Sequence, residues 1–506
     1  MEYIDKPPSP SGTLEALKAL GYTLKTALAD LLDNSITAEA KNIWINFFWD
    51  GEDSHITILD DGKGMTEEML DNAMTPGFQN PNDPRDKSDL GRFSLGLKTA
   101  SWSQSHKLSV WSKSNEEPSL ISSMGWDIDH VLQTNKWICQ KNLDAPNELE
   151  QLIKIKSGTL VKWEKFHTPL FLASSQSQEA LDEFNLNIRS VEKYLGMIFH
   201  RFIEGKVKYN KNNGPLNIFI NNNLIRAWNP FHASSKVITI TTPTDEIICA
   251  QSIIEIKGYI LPHQEHLTAN EIEEGGGPNG WLQQQGFYVY RGDRLLVAGD
   301  WLGLRSYSGR LWGKDEQYKL ARISIDIPNT LDKTWQIDLK KTTATPPHFL
   351  VAILTRQADL VREEAKKSFI HRGEYGPRAK VDHYIEQKVW EHTKRNNNLV
   401  YKVNKKHPLI RGFYDKLGVM SVDLDSFITL IEECVPVQQI WLDVAEDEKE
   451  PATPYSGLDK ELEKTIKQLF LILKKKMTPS EAVEEIKRTQ PFNRFGELIE
   501  GIVKNI

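Results

Sequence analysis

Asp30 and Asn34 stand four residues apart in TALADLLDNSITA, residues 26–38. On a helix that spacing puts a carboxylate and an amide on one face, one turn apart. Leu24, Leu28, Leu31 and Leu32 would bury the rest of the surface, and an inward carboxylate without a partner is costly. A carboxylate that polarises a water, one turn before an amide oxygen that ligates Mg²⁺, would justify the arrangement. A capped or solvated acidic stripe is the plainer reading of the pair taken alone. Two further stretches bear on the choice. Asp60, Asp61, Gly62 and Gly64 in DDGKGM make a tight glycine turn at a strand end, where backbone can approach a ligand closely. In GRFSLGLKTAS, Gly91 and Gly96 bracket a helix start that carries Lys98. Backbone N–H groups, the helix dipole and a lysine together form an anion site there.

The elements that must hold these groups are legible in outline. Residues 14–20 read as a short helix, and the helix that carries Asp30 runs from Thr26 to near Ala40. KNIWINFFW, residues 41–49, alternates as a strand does, and Asp50-Gly51 turns the chain into a second strand at 55–59. Thr66 has the form of an N-cap, with Glu67 and Glu68 in the first turn. Residues 75–90 are rich in Pro, Gly, Asn and Asp without periodicity, and read as a mobile lid. Further strands are expected at 106–112, 120–128 and 158–163, the last carrying Thr159.

A rival motif is close at hand. GRFSLGLKT approaches the P-loop pattern G-x-x-x-x-G-K-[ST], with ITILD as its acidic strand. Yet Lys98 falls one residue too late, and Leu97 occupies the required position. The acidic strand also precedes the loop instead of following it. The P-loop reading fails.

In order, the chain offers an acidic-x-x-x-Asn helix, a D-x-G-x-G turn, a lid, a G-x(4)-G-x-K helix and a Gly-Thr strand. This order resembles the GHKL ATPase superfamily, whose members include gyrase B, MutL, the heat-shock chaperone ATPases, histidine kinases and MORC proteins. The likeness rests on motifs in the first third of the chain. It implies that Asp60 accepts the adenine amino group, that Gly62, Gly64 and Met65 line the base, and that Thr159 supports it. It implies that Asn34 holds Mg²⁺, while Gly91, Arg92, Phe93, Ser94, Leu95, Gly96, Leu97 and Lys98 cover the phosphates of ATP. Asp30 would be the catalytic base, where hydrolytic members usually carry Glu. Asp is one methylene shorter, and about 1 Å of misplacement costs on the order of 10²-fold in rate. Slow hydrolysis is the expectation.

Strands and helices alternate between residues 164 and 347. LNIFINNNLIRAW (216–228) reads as a hairpin around residues 221–223, and GFYVYRGDRLLVA (286–298) as another, turning at Gly292-Asp293. Arg291-Gly292-Asp293 has the composition of an adhesion ligand, but a turn within a hairpin is the simpler reading. In GHKL enzymes with a transducer domain, a lysine of that domain reaches the γ-phosphate. Lys340 and Lys341 in IDLKK are the matching candidates, and only one can face the nucleotide if they lie on a strand. These stretches resemble MORC proteins most, especially their prokaryotic relatives. They argue against a histidine kinase, which would lack a transducer domain and carry a phospho-accepting His helix.

From His348 on, the chain reads as mostly helical, with a linker at 446–454. Thr478-Pro479-Ser480-Glu481 has the capping-box form, with Pro at the first helical position. Lys394-Arg395, Lys405-Lys406 and residues 474–476 are basic clusters that suit either phosphates or solvent. The 506 residues carry a formal net charge of -7, with 26% charged and 39% hydrophobic residues. That is an ordinary soluble balance without a global pull toward nucleic acid, so any DNA contact has to be a local patch. Cys139, Cys249 and Cys434 are scattered singly. They support neither a disulfide framework nor a zinc site, and they suit a reducing cytoplasm. The first residues lack a charged-then-apolar leader, and no apolar run nears the roughly 20 residues that span a bilayer. A cytoplasmic protein without a membrane partner is expected.

The expected architecture is α/β. An α+β sandwich of the GHKL ATPase type covers 1–165, a transducer domain with a ribosomal-protein-S5-like fold covers 166–347, and a mostly helical region covers 348–506. The resemblance implies an ATP- and Mg²⁺-dependent homodimer, a clamp or switch that nucleotide closes and hydrolysis reopens. It further implies DNA held without regard to sequence, a protein partner that carries the output, and a place in prokaryotic genome defence. The alternative is a non-hydrolysing module that recruits a protein partner, with ATP as a structural or signalling ligand.

Overall fold

The computed structural model describes residues 3–504 other than 5, 7, 20, 79–89, 91–95, 168–177, 210–213, 232–238, 250–251, 307–308, 339–340, 371–388, 396–397, 418–420, 437–458, 490 and 493–494. Two compact units divide the chain, residues 1–375 and 376–506.

In the first unit, α1 (Pro10–Lys18) leads to α2 (Leu24–Thr37). Thr23 caps α2 in a reciprocal pair with Thr26, each side chain accepting from the other's amide. α2 is buried around most of its circumference, Asp30 and Asp33 included, whereas Asn34 is exposed. Beneath it run β1 (Asn42–Phe48), β2 (His55–Asp60), β3 (Ser105–Lys113), β4 (Ser122–Asp127), β5 (Gln140–Lys141) and β6 (Gly158–Phe166). Their order is β5-β4-β3-β6-β2-β1, antiparallel throughout. α3 (Glu67–Met74) follows β2, capped by Thr66 as expected, and α4 (Gly96–Gln104) precedes β3. The short helices α5 (Ile128–Thr134) and α6 (Leu149–Lys154) occupy the connections to β5 and β6.

Alternation along the strands sets the two faces. Ile43, Ile45, Ile56, Ile58, Val161 and Trp163 join one core with Leu28 and Leu32 of α2 and Trp102 of α4. Leu59, Trp111 and Leu160 belong to a separate small cluster with Leu152 of α6. After α7 (Gln178–Ile198) and α8 (His200–Ile203), β7 (Asn217–Ile220) adds to β1 in parallel, with Asn42 opposite Asn217. Asn221 and Asn222, both at positive φ, turn it into β8 (Asn223–Leu224). The hairpin expected at 216–228 is present, and it extends the first sheet.

A second sheet follows, built from β9 (Ile240–Thr241), β10 (Asp245–Cys249), β11 (Ser252–Ile260), β12 (Gly286–Arg291), β13 (Arg294–Asp300) and β14 (Ala321–Ile327). Its order is β10-β11-β14-β12-β13, with β9 on β11. α9 (Ala269–Gly276) and α10 (Gly280–Gln283) lie between β11 and β12. α11 (His348–Ile370) packs Leu350, Leu354, Ala358 and Val361 into one core with Ile254, Ile256, Ile323 and Ile325. Tyr288, Tyr290 and Leu295 instead join the core of the first sheet, so the two sheets share an interior. The turn at Gly292-Asp293 is present, and its flanking charges are internal. Arg291 pairs with both oxygens of Asp332, and Asp293 accepts the amides of Lys208 and Tyr209. An adhesion tripeptide would be exposed, and this one is buried.

In the second unit, β15 (Trp390–Arg395) pairs with β16 (Asn398–Val403). The helices are α12 (Pro408–Leu417), α13 (Ser421–Glu433), α14 (Asp459–Leu473), α15 (Pro479–Arg488) and α16 (Gly496–Val503). The capping box of Thr478 and Glu481 opens α15, as expected. Leu462, Ile466, Leu469, Ile486 and Ile499 form the core of this unit. Lys405 pairs with Asp425 and Lys476 with Asp415, both at 2.5 Å, so two of the basic clusters are partly neutralised. The linker expected at 446–454 lies outside the described residues. Among the described residues, no helix is long and apolar enough to cross a membrane.

Candidate active site

Asp30 sits midway along α2 with its carboxylate sealed from solvent. Its Oδ2 accepts the Tyr22 hydroxyl at 2.7 Å. Its Oδ1 makes no hydrogen bond and lies 3.1 Å from Lys341 Nζ. Burial first, and the adjacent carboxylate second, hold the Tyr22 phenol far above its ordinary value, so the hydroxyl stays a donor. Asp33, nearly one turn on, is fully buried. Its Oδ1 accepts Arg294 Nε at 2.8 Å, and its Oδ2 accepts Lys341 Nζ at 2.6 Å. Two carboxylates and two cations therefore close into one cluster, the condition under which buried charge is tolerated. Burial pushes the Asp33 carboxyl up, and Arg294 and Lys341 oppose it.

Arg294 opens β13, and its Nη1 also donates to the Lys341 carbonyl at 3.1 Å. The guanidinium thus holds both the partner acid and the loop that carries Lys341. That loop is a turn rather than a strand: Lys341 has a φ of 54°, and Asp338 Oδ1 accepts the amides of Thr342 and Thr343. The turn carries Lys341 to α2. Lys340 lies outside the described residues.

Farther along α2, Ser35 serves a second acid at the end of β2. Asp60 is buried, its Oδ2 accepting the Ser35 hydroxyl and its Oδ1 the Gly62 amide, both at 2.9 Å. Burial pushes this carboxyl up to about 6, against the pull of those two donors. Thr159 stands opposite Asp60 in the β2–β6 ladder. Its hydroxyl is 2.9 Å from Ser112 Oγ, which accepts the Met65 amide at 2.8 Å. The glycines of the turn answer first to the protein's own packing. Gly64 has a φ of 64°, and a Cβ on it would lie 1.9 Å from the Lys113 carbonyl; one on Gly62 would lie 2.8 Å from that of Ala38. Backbone approaches backbone here, which only glycine permits.

α4 begins at Gly96, where an added Cβ would lie 3.6 Å from Asp30 Oδ2. A helix N-terminus and the candidate base therefore adjoin, the polarity an anion needs. Gly91, Arg92, Phe93, Ser94 and Leu95 lie outside the described residues, as does most of the expected lid. Leu97 packs against the core. Lys98 is committed elsewhere: its Nζ donates to the carbonyls of Ala73 at 2.6 Å and Thr75 at 2.9 Å, while Trp126 Nε1 donates to that of Met74 at 3.1 Å. These side chains satisfy the carbonyls left over at the end of α3. Burial lowers the Lys98 ammonium to about 8. So Lys98 serves the end of α3 in this arrangement, not Asp30. At the far end of the expected lid, the Leu90 carbonyl accepts Arg291 Nη1 at 2.9 Å.

Among the described residues, no group of three or more His, Cys, Asp or Glu side chains could hold a metal ion. Mg²⁺ does not need one, because it is commonly held by one or two protein oxygens, substrate phosphates and water. The exposed Asn34 and the Asp30 Oδ1 without a hydrogen bond offer oxygens of the type Mg²⁺ takes.

Helices thus cover a mixed sheet, with one acid buried at a strand end and another on the covering helix. Residues 22–159 match the family model of histidine kinase-, DNA gyrase B- and HSP90-like ATPases. This stretch is a GHKL-type ATPase domain. It begins at Tyr22, which holds Asp30, and ends at Thr159, which faces Asp60. No curated protein matches the chain. Arg294 and Lys341 lie beyond the matched residues.

Four residues that hold the two acids and their partners carry no motif: Tyr22, Asp33, Ser35 and Arg294. Asp33 does leave a trace, since a second acid three residues after Asp30 shares its helical face. Nothing local marks Arg294.

Proposed function

We propose that the protein binds ATP with Mg²⁺ and hydrolyses it slowly, at a site whose charges are completed by the second sheet. The observation that carries this reading is Lys341 Nζ at 3.1 Å from Asp30, within a domain of an ATPase family. Asp60 would accept the adenine amine, beside Gly62, Gly64 and Thr159. Asn34 would hold Mg²⁺, which when bound neutralises phosphate charge. The phosphates would lie toward Gly96 at the start of α4. Asp30 would take the proton of the attacking water, oriented by the Tyr22 hydroxyl, and Lys341 would face the developing charge. The short reach of an aspartate accounts for slow turnover. The second sheet with α11 would act as the transducer, reporting nucleotide state through Lys341 and closing two protomers together.

Titration calorimetry with ATP, with and without Mg²⁺, tests the binding; phosphate release by wild type and Asp30→Ala tests the chemistry. Mg²⁺-dependent binding with turnover lost only in the variant supports the reading. Equal phosphate release from both proteins would leave ATP as a structural ligand.

A further inference from the structure

We infer that Asp33 is a positioning residue, acting on the reaction through Lys341; the inference rests on the assignment of Lys341 to the phosphate end. A lysine carries its charge on a flexible four-carbon stem and shifts readily between acids. Here the ammonium has two carboxylates within reach, and they are not equivalent. It donates to Asp33 Oδ2 at 2.6 Å, whereas Asp30 Oδ1 lies at 3.1 Å without hydrogen-bond alignment. Asp33 is the anchor, and Asp30 is the neighbour.

The anchor is itself fixed. Arg294 occupies the other Asp33 oxygen at 2.8 Å and holds the Lys341 carbonyl at 3.1 Å, so both ends of the lysine residue are tied to one guanidinium–carboxylate pair. Both carboxylates and the guanidinium are buried and the Lys341 side chain nearly so, which limits the solvent that would let the ammonium wander. Without the Asp33 charge, the nearest anion to Lys341 is Asp30. The ammonium would then close on Oδ1, the one oxygen of Asp30 that now makes no hydrogen bond. A base occupied in this way cannot accept a proton from water. Asp33 therefore keeps Lys341 near the reaction without letting it occupy Asp30.

A double-mutant cycle in kcat tests this, with ATP affinity measured beside it. Asp33→Asn should lower kcat about tenfold, the scale of a small misplacement, with Kd for ATP within about twofold of wild type. In a Lys341→Met background the same substitution should cost nothing further, because the residue it acts through is gone. A purely structural Asp33 would cost the same factor in both backgrounds, and that result overturns the inference. Asp33→Asn removes the carboxylate paired with Arg294, so a second variant guards against a failure to fold. The variant Asp33→Asn with Arg294→Gln removes both charges and is run through the same cycle. If Lys341→Met alone keeps wild-type kcat, the assignment of Lys341 has failed and the inference falls with it. If Lys341→Met is slow but the Asp33 variants are not, only the inference has failed.

Discussion

The two acids served by α2 are held on opposite plans. Around Asp60, the partners among the described residues come from residues 35–159, and the donors are neutral: a serine hydroxyl and backbone amides. Backbone contacts at Gly62 and Gly64 leave the turn no freedom. Around Asp30, charge meets charge, and the cations that hold Asp33 come from 261 and 308 positions away. On the proposed reading, the first plan would give a rigid surface that recognises a shape whether or not the rest of the chain is in place. The second would make the reactive end conditional on the second sheet. α2 supplies Asp30 itself and the Ser35 that bonds Asp60, so recognition would be local and chemistry shared.

The largest expected effect breaks the Asp30 side alone. Asp30→Ala should lower turnover by about 100-fold or more, the usual scale for a general base, with ATP affinity little changed. A loss of affinity to match would mean that the two ends are not separable. Next, Asp60→Asn should weaken ATP binding by roughly 10- to 100-fold, the value of one charge-assisted hydrogen bond, and at saturating ATP leave kcat near wild type. Calorimetry and single-turnover measurements on the same protein decide it. A smaller effect sharpens the Asp60 side: Ser35→Ala removes one neutral donor, about 1 kcal/mol, and should raise Kd about fivefold without touching kcat.

The smallest effect is a pH signature. Burial pushes the Asp60 carboxyl up to about 6. Between the ordinary carboxylate value and about 6, the folded chain keeps a proton on Asp60 that the unfolded chain has released. The contribution of this residue to stability therefore grows as pH falls through that window and is lost above it. Urea unfolding of wild type and Asp60→Asn, compared at pH 7.5 and pH 5, should show the difference moving toward wild type by about 1 kcal/mol on acidification. A constant difference would place Asp60 in a more polar setting than its burial implies.

Much of this plan is legible in the sequence, and the part that is not has a common cause. The helix with Asp30, the strand that ends at Asp60, the Thr66 cap and the turns at residues 221–223 and Gly292-Asp293 are local patterns, and local patterns survive folding. Lys98 shows where pattern stops: its position in α4 is readable, but the carbonyls at Ala73 and Thr75 that claim its ammonium are a tertiary fact. Lys341 shows the same in reverse. Its candidacy rests on a resemblance, while the turn tied by Asp338 that aims it at α2 has no periodicity to read. Arg294 is the extreme case, one arginine among many until the second sheet sets it against Asp33.

The parallel seating of β7 on β1 bears on how the ATPase domain can be handled in isolation. A fragment ending at residue 165 contains the whole stretch that matches the family model but lacks the strand that closes the β1 edge. Its backbone amides and carbonyls along Asn42, Ile43, Trp44 and Ile45 would stand open beside strongly apolar side chains. Such an edge is a template for any passing strand, another copy of the fragment included. The short fragment should therefore self-associate, and one extended through β8 and Ile225, whose amide bonds the Ile218 carbonyl, should stay dispersed.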